Sequence, residues 1–282
     1  LIVSERECAA AGVYTQNVVK GAPVTVTQKN IADGRAWAVI CNSGIANTCA
    51  PDGMETAEEM CRIAAETLEL RPTDIVVAST GVIGPSLPIE NIRAAAPQLK
   101  AALSPEGSPA AATAIMTTDT IAKEAAVCCT IGGREVRVGG ISKGSGMIHP
   151  NMATMLCFIT SDCAIAPDVL QKAVKAAADA TFNMISVDGD TSTNDTFVVL
   201  SNGAAGNQEI TGEGEDYAQF VEALTAVSRK LAMLMAKDGE GASKLLTVRV
   251  ENAASLDAAR VIARSVSCSS LFKSAMFGND AN

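Results

Sequence analysis

The segment from Lys143 to Ile159 constrains the fold of this chain more than any other. Glycine, proline and asparagine are concentrated at positions 144–151, and an uninterrupted apolar run follows at 155–159. Such a sequence predicts a tight, conformationally restricted loop that leads directly into a buried strand. Thr154 is therefore predicted to lie at the junction between the loop and the strand.

The Ala153-Thr154 pair at this junction has the groups that an intramolecular acyl shift requires. Attack of the Thr154 hydroxyl on the Ala153 carbonyl would convert the amide into an ester, and hydrolysis would leave Thr154 as a new N-terminus. Its freed amine, with a pKa of about 8, could then act as the base for its own hydroxyl. The alternative is an ordinary turn shaped by glycine and proline, with Thr154 as a β-branched strand residue.

The segment 143–156 resembles the self-cleavage segment of the ornithine acetyltransferases of arginine biosynthesis, which are also called glutamate N-acetyltransferases. The resemblance spans almost the entire chain, because other segments match landmarks of that family in the same order. These segments are residues 41–47, 79–84, 116–120, 238–242 and 277–280.

The resemblance implies an α/β fold in which two stacked β-sheets are flanked by helices. It implies transfer of an acetyl group from N2-acetylornithine to glutamate through an acetyl ester on Thr154, with no metal or organic cofactor. Acetyl-CoA is a further possible acetyl donor. Self-cleavage would divide the chain into segments 1–153 and 154–282, which the family assembles as a heterotetramer of two α and two β chains. Both ends of the sequence are expected to be incomplete.

Thr80 and Gly81 are the predicted oxyanion hole. A strand that ends in Thr-Gly can direct a hydroxyl and backbone N–H groups into one small space, as stabilisation of an oxyanion requires. A strand-terminating turn is the alternative from the residues alone. The resemblance assigns the oxyanion role to this pair.

The predicted substrate contacts are Thr118, Lys143, Glu240 and the acylated Thr154. Without the resemblance, Thr118 would be a capping or solvent-facing residue, and Glu240 a solvated turn residue. The resemblance implies that Lys143 faces a substrate carboxylate and that Glu240 binds the substrate amino group across the pocket. Thr120 is an alternative to Thr118. Lys143 precedes its glycines, whereas a Walker A lysine follows them, so a phosphate-binding loop is not predicted.

Metal binding is not predicted. The chain has a single histidine, His149, which lies beside Pro150 in a predicted turn and is interpreted as a bystander. The polar segment 187–196 superficially resembles a calcium loop but lacks the closing glutamate of an EF-hand. We interpret it as a loop that leads to a strand.

The composition excludes some partners. A net charge of −9 argues against a nucleic-acid or anionic-membrane surface, since both attract clustered lysine and arginine. Nine cysteines without a Cys-x-x-Cys pair fit buried, reduced thiols. We find no signal peptide and no apolar run long enough to span a bilayer, so the sequence predicts a cytoplasmic protein.

Periodicity predicts most of the secondary structure. Helices are expected at 53–70, 88–103 with an interruption at Pro97, 167–182, 217–236 and 253–265. Strands are expected at 11–15, 24–27, 37–40, 75–78, 125–129, 136–138, 158–160, 197–200 and 245–250.

Two other functions remain open at this point. Aminopeptidases and amidases of related self-processing architecture would hydrolyse the acyl-enzyme instead of transferring its acyl group. A non-enzymatic binding protein of the same fold would retain no covalent intermediate.

Overall fold

The computed structural model describes residues 1–148 and 155–281. His149, Ala153 and Thr154, all singled out above, lie outside the described residues. The strands are β1 Ile2–Tyr14, β2 Arg35–Ile45, β3 Ile75–Val82, β4 Lys123–Ile131, β5 Arg134–Lys143, β6 Leu156–Ser161 and β7 Thr196–Ser201. The helices are α1 Ala22–Asn30, α2 Gly53–Leu68, α3 Ile89–Ala101, α4 Ser108–Ala114, α5 Pro167–Ala180, α6 Glu215–Lys237, α7 Leu256–Ser267 and α8 Ser270–Gly278.

These strands form one mixed sheet in the order β3-β2-β1-β7-β6-β5-β4. The pairs β2–β3 and β6–β7 are parallel, and the other neighbouring pairs are antiparallel. The β4–β5 hairpin turns at Gly132 and Gly133, whose φ angles are 54° and 74°. A two-residue hairpin turn with positive φ at both positions favours glycine, as the sequence predicted.

The sheet folds over so that its two ends face each other. Four strands separate β3 from β5 in the sheet order, so on a flat sheet the two strands would lie about 24 Å apart. Yet the Nζ atom of Lys143 on β5 lies 3.4 Å from Oγ1 of Thr80 on β3. An irregularity in β1 between Val3 and Cys8, of the kind that bends sheets, accompanies this curvature.

A buried apolar layer fills the space between the two halves of the folded sheet. Val76 of β3 lies in the same cluster as Ile141 of β5 and Phe158 of β6. The alternate residues of the same strands point outward, because side chains on a strand alternate between its faces. Burial of both faces explains why these strands read as continuous apolar runs.

Helices cover the outer side of each half. Met60 of α2 packs against Val77 of β3, whereas Leu170 of α5 and Leu231 of α6 pack against Phe197 of β7 and its neighbours. The resulting order is helices, β layer, β layer, helices. The predicted α/β class with stacked β layers and flanking helices is confirmed, with one continuous sheet supplying both layers.

Two predictions about local structure are wrong in the part of the chain before α4. Val24–Thr27 was predicted as a strand, but it lies in α1, which begins with Pro23 in its first turn. The Thr27 hydroxyl donates to the Val77 carbonyl at 2.6 Å and accepts from the Val77 N–H at 2.8 Å. Contacts with β3 therefore outweigh the β propensity of this segment. α3 also runs through Pro97 without the predicted interruption.

The predicted strand at 245–250 is also wrong. Residues 244–251 form no regular secondary structure, although exposed and half-buried side chains alternate along 245–250. Alternation alone does not make a strand, because the backbone also needs a hydrogen-bonding neighbour. α8 was not predicted. In the described part of the chain, no helix is both long and apolar enough to cross a membrane.

Candidate active site

The centre of the candidate site is Lys143, the last residue of β5. Its side chain is buried, and Nζ donates to Thr117 Oγ1 at 2.8 Å and to Thr80 Oγ1 at 3.4 Å. Asp119 Oδ2 lies 3.9 Å from the same nitrogen. Burial lowers the pKa of Lys143, and the nearby Asp119 charge opposes that shift. The fold thus brings Lys143, the cation predicted to bind the substrate carboxylate, next to Thr80, the predicted oxyanion donor.

Gly81 follows Thr80 at a point where two backbones meet. Its φ angle is 128°, and a Cβ atom there would lie 2.1 Å from the carbonyl carbon of Gly44 on β2. Only glycine fits such a conformation and such an approach. Glycine is therefore required at position 81, and it leaves no side chain beside Thr80 at the end of β3.

A buried ionic network lies beneath Lys143. The fully buried Lys123 ammonium contacts Asp119 Oδ1 and Asp238 Oδ2, each at 2.6 Å. Burial would raise the Asp119 pKa, but the Lys123 hydrogen bond, the Gly144 N–H and the Lys143 charge hold it below its usual value. Asp119 Oδ1 accepts that N–H at 2.7 Å. The network therefore anchors the start of the loop that leads towards Thr154.

The threonine that contacts Lys143 is Thr117, one residue before Thr118, the predicted substrate contact. The Thr118 hydroxyl pairs with Ser145 Oγ at 2.6 Å, and Thr120 hydrogen-bonds Asp238 through its N–H and its hydroxyl. The hydroxyl that contacts the Lys143 ammonium belongs to Thr117. Sequence reasoning missed Thr117, because three threonines within four residues cannot be distinguished until the direction of each side chain is known.

Glu240 reaches the same loop from the turn after α6. Its N–H donates to the Ser145 carbonyl at 2.7 Å. A Cβ atom on Gly146 would lie 2.4 Å from Glu240 Oε2, so the glycine allows this close approach. Glu240 is exposed and borders a cleft of about 630 Å³ between the end of α6 and the helices α7 and α8.

The polar segment 187–196 holds both described ends of the loop. Asp188 Oδ1 accepts from the Ile148 N–H at 2.9 Å, and Asp195 Oδ1 accepts from the Met155 N–H, also at 2.9 Å. The carboxylates that suggested a calcium loop therefore bind backbone N–H groups. Sequence reasoning interpreted this segment as a loop that leads to a strand, and it missed the particular roles of Asp188 and Asp195.

Asn194 joins this segment to the opposite side of the site. Its Nδ2 donates to the Ala46 carbonyl at 2.7 Å and to the Ser79 carbonyl at 3.0 Å. Asn194 therefore ties the ends of β2 and β3 to the chain just before β7. The clustering of polar residues at 187–196 was the signal available in the sequence.

The fold is an α/β sandwich, and a buried Lys-Thr pair lies at the start of its glycine-rich loop. This combination can be compared with known proteins. The ArgJ family model matches residues 1–282. The chain is 54% identical over 283 residues to the arginine biosynthesis bifunctional protein ArgJ of Symbiobacterium thermophilum, covering 100% of this chain and 70% of that protein. It is 49% identical over 285 residues to the protein of that name from a Synechococcus species, covering 100% and 68%.

A solved structure gives the same result. The crystal structure of arginine biosynthesis bifunctional protein ArgJ from Bacillus halodurans matches with a TM-score of 0.50 and 44% sequence identity. The match covers 54% of this chain and 80% of that one. The chain belongs to the ArgJ family, and the resemblance found in the sequence is confirmed.

Proposed function

We propose that this chain transfers an acetyl group from N2-acetylornithine to glutamate, with Thr154 as the nucleophile after self-cleavage between Ala153 and Thr154. Membership of the ArgJ family supports the acetyltransferase role. The observation that carries the proposal further is the buried cluster in which the Lys143 ammonium contacts the hydroxyls of Thr80 and Thr117. This cluster lies at the start of the loop that leads to Thr154.

The hydrogen bonds of Lys143 suit Thr80 to an oxyanion role. An ammonium group can only donate hydrogen bonds, so Thr80 Oγ1 is the acceptor of its bond with Lys143. The Thr80 hydroxyl hydrogen can then be donated to the oxyanion that forms on the acetyl group. The nearby positive charge favours negative charge at that position.

The reaction has two steps. In the first, the Thr154 hydroxyl attacks the acetyl carbonyl while Thr80 and Gly81 stabilise the oxyanion, the amide C–N bond breaks, and ornithine leaves with the proton on its nitrogen. An acetyl ester remains on Thr154. In the second, the amine of glutamate attacks this ester, and the hydroxyl of Thr154 regains a proton as acetylglutamate leaves.

Substrate recognition uses the two sides of the site. The Lys143 ammonium binds the α-carboxylate that both substrates share, and Thr117 lies beside that ammonium. Thr118, the next residue along the chain, stays a proposed substrate contact. Glu240 binds the terminal ammonium of N2-acetylornithine. The relatives are named bifunctional proteins, and acetyl-CoA as a further acetyl donor is part of the proposal.

The proposal includes the products of cleavage. Segments 1–153 and 154–282 would remain associated as α and β chains, in a cytoplasmic heterotetramer with two of each. Separation would expose the apolar surface of β6, which argues for continued association. The competing aminopeptidase or amidase function predicts that free acetate is released in the absence of glutamate. Its rate would not depend on an acceptor amine.

The decisive experiment is a mass measurement of the denatured protein, with Thr154→Ala as the variant. We expect two masses for the natural sequence, with one acetyl group on the fragment that begins at Thr154 after exposure to N2-acetylornithine. The variant should give a single mass and no transfer. Efficient cleavage of Thr154→Ala would disprove the nucleophile assignment, and acetate release without glutamate would favour the hydrolase.

A further inference from the structure

Two adjacent side chains just before β7 contact opposite sides of the candidate site. Asp195 is fully buried and accepts the Met155 N–H at 2.9 Å. Asn194 is buried beside it and donates to the Ser79 carbonyl at 3.0 Å. One contact is therefore made one residue after the proposed nucleophile, and the other one residue before the proposed oxyanion donor.

Both contacts act on peptide units that belong to the reacting residues. A peptide unit is planar, so a hydrogen bond to the Ser79 carbonyl also fixes the direction of the Thr80 N–H in the same unit. The Met155 N–H likewise belongs to the peptide bond that follows Thr154. Asn194 and Asp195 thus orient the backbone on either side of the reaction.

We propose that Asn194 and Asp195 are a positioning pair that sets the nucleophile segment against the oxyanion segment. Because the two residues are consecutive, their backbone fixes the spacing between the two groups that they hold. The inference rests on the proposed function, in which Thr154 and Thr80 act on the same acetyl carbonyl. Neither residue of the pair is required to touch the substrate.

The surroundings hold the pair rigidly. Thr48 Oγ1 donates to Asn194 Oδ1 at 2.6 Å, and the Thr15 N–H donates to the Asp195 carbonyl at 3.1 Å. Gly21 leaves room for the Asn194 amide, since a Cβ atom there would lie 2.5 Å from its Nδ2. The two hydrogen bonds come from separate parts of the chain, which restricts movement of the pair.

Two substitutions of Asp195 can show whether its side-chain oxygen positions the Met155 N–H. Burial raises the pKa of this carboxyl well above its usual range, with the Met155 N–H opposing the shift. An asparagine side chain has nearly the same shape as that of aspartate, and its oxygen can still accept the Met155 N–H. Positioning therefore survives Asp195→Asn and is lost in Asp195→Ala.

The test compares Asp195→Ala, Asp195→Asn and Asn194→Ala with the natural protein. We expect Asp195→Ala and Asn194→Ala to lower kcat by about 10- to 100-fold, as misplacement of reacting groups does. KM for N2-acetylornithine should change by less than about twofold, because binding in the ground state is untouched. Asp195→Asn should retain self-cleavage and kcat within about threefold.

Hydrogen exchange at the Met155 amide reports whether its hydrogen bond to Asp195 is present, independently of enzyme activity. Exchange should be faster in Asp195→Ala than in the natural protein or Asp195→Asn. Gly21→Ala provides a second probe if Asp195→Ala does not fold, because its methyl group would displace the Asn194 amide and should lower kcat without raising KM.

The outcomes separate this inference from the proposed function. Natural protein that neither cleaves nor forms an acetyl-enzyme would overturn the function itself. An active natural enzyme with unchanged kcat in both alanine variants would overturn only the positioning pair. So would equal losses in Asp195→Asn and Asp195→Ala, which would show that the carboxyl group rather than its position matters.

Discussion

The two ends of the candidate site differ in how firmly the fold holds them. At the closed end, Thr80, Lys143 and Lys123 are buried and hydrogen-bonded. At the open end, Glu240 is exposed beside the cleft, and neither α7 nor α8 has a buried residue. The closed end suits the steps that require fixed geometry, and the open end suits discrimination between substrate side chains.

The largest effect should come from the ionic network at the closed end. Lys123→Met would leave Asp119 without its closest cation and Asp238 without its buried partner. Breaking a buried ion pair on one side costs about 3–5 kcal/mol. Urea unfolding should show that loss, whereas Lys230→Met, at an exposed position on α6, should stay within about 0.5 kcal/mol. Equal stabilities for the two variants would contradict a stabilising role of the buried network.

Lys143→Met should weaken binding of both substrates, because both carry the α-carboxylate. Hydrogen bonds to charged groups contribute about 1.5–3 kcal/mol, so each half-reaction should lose about 10- to 100-fold in kcat/KM. The exposed Lys237 on α6 is the control, and Lys237→Met should leave both half-reactions unchanged. A loss confined to one substrate would contradict a shared carboxylate contact.

Glu240→Gln should have a smaller and asymmetric effect. In the proposed site, ornithine would present a terminal ammonium to this carboxylate, whereas glutamate would present a second carboxylate that Glu240 repels. Exposed ion pairs contribute about 0.2–1 kcal/mol, so acetylation by N2-acetylornithine should weaken severalfold and transfer to glutamate should not. Separate measurement of the half-reactions tests this. Equal losses for both substrates would leave Glu240 as a structural residue.

The smallest effect should come from the helices beside the cleft. Leu271 of α8 is 82% exposed and Leu231 of α6 is fully buried, which gives a matched pair of leucines. Leu271→Ala should change the free energy of unfolding by less than about 0.5 kcal/mol. Leu231→Ala should lower it by about 2–5 kcal/mol. Comparable losses would show that α8 is packed as firmly as α6.

Much of the fold could be predicted where a pattern is local. The apolar run before Thr80 predicted β3, and the helical spacing that ends near Asp238 predicted α6. The segment 24–27 was misjudged, because its β-branched residues favour a strand while Pro23 and contacts with β3 favour a helix. The segment 245–250 was misjudged because alternation gives no information about a pairing partner.

The candidate site shows the same limit. Motifs predicted Lys143, Thr80, Gly81 and Glu240 as site residues. In the fold Lys143 contacts Thr80, and Glu240 contacts the loop that follows Lys143. The motifs did not identify Lys123, whose two carboxylate partners are 4 and 115 residues away along the chain. Such partners depend on how the sheet folds over, and no local sequence pattern carries that information.

The order of strands in the sheet interlaces the two segments that the proposed cut would create. β6 and β7 follow residue 154, and they lie between β1 on one side and β5 on the other, both of which precede it. The first segment alone would leave a gap two strands wide in the middle of the sheet. Under the proposed self-cleavage, the chain would have to fold before it is cut, and refolding of the cut, denatured protein would become a bimolecular process that slows on dilution.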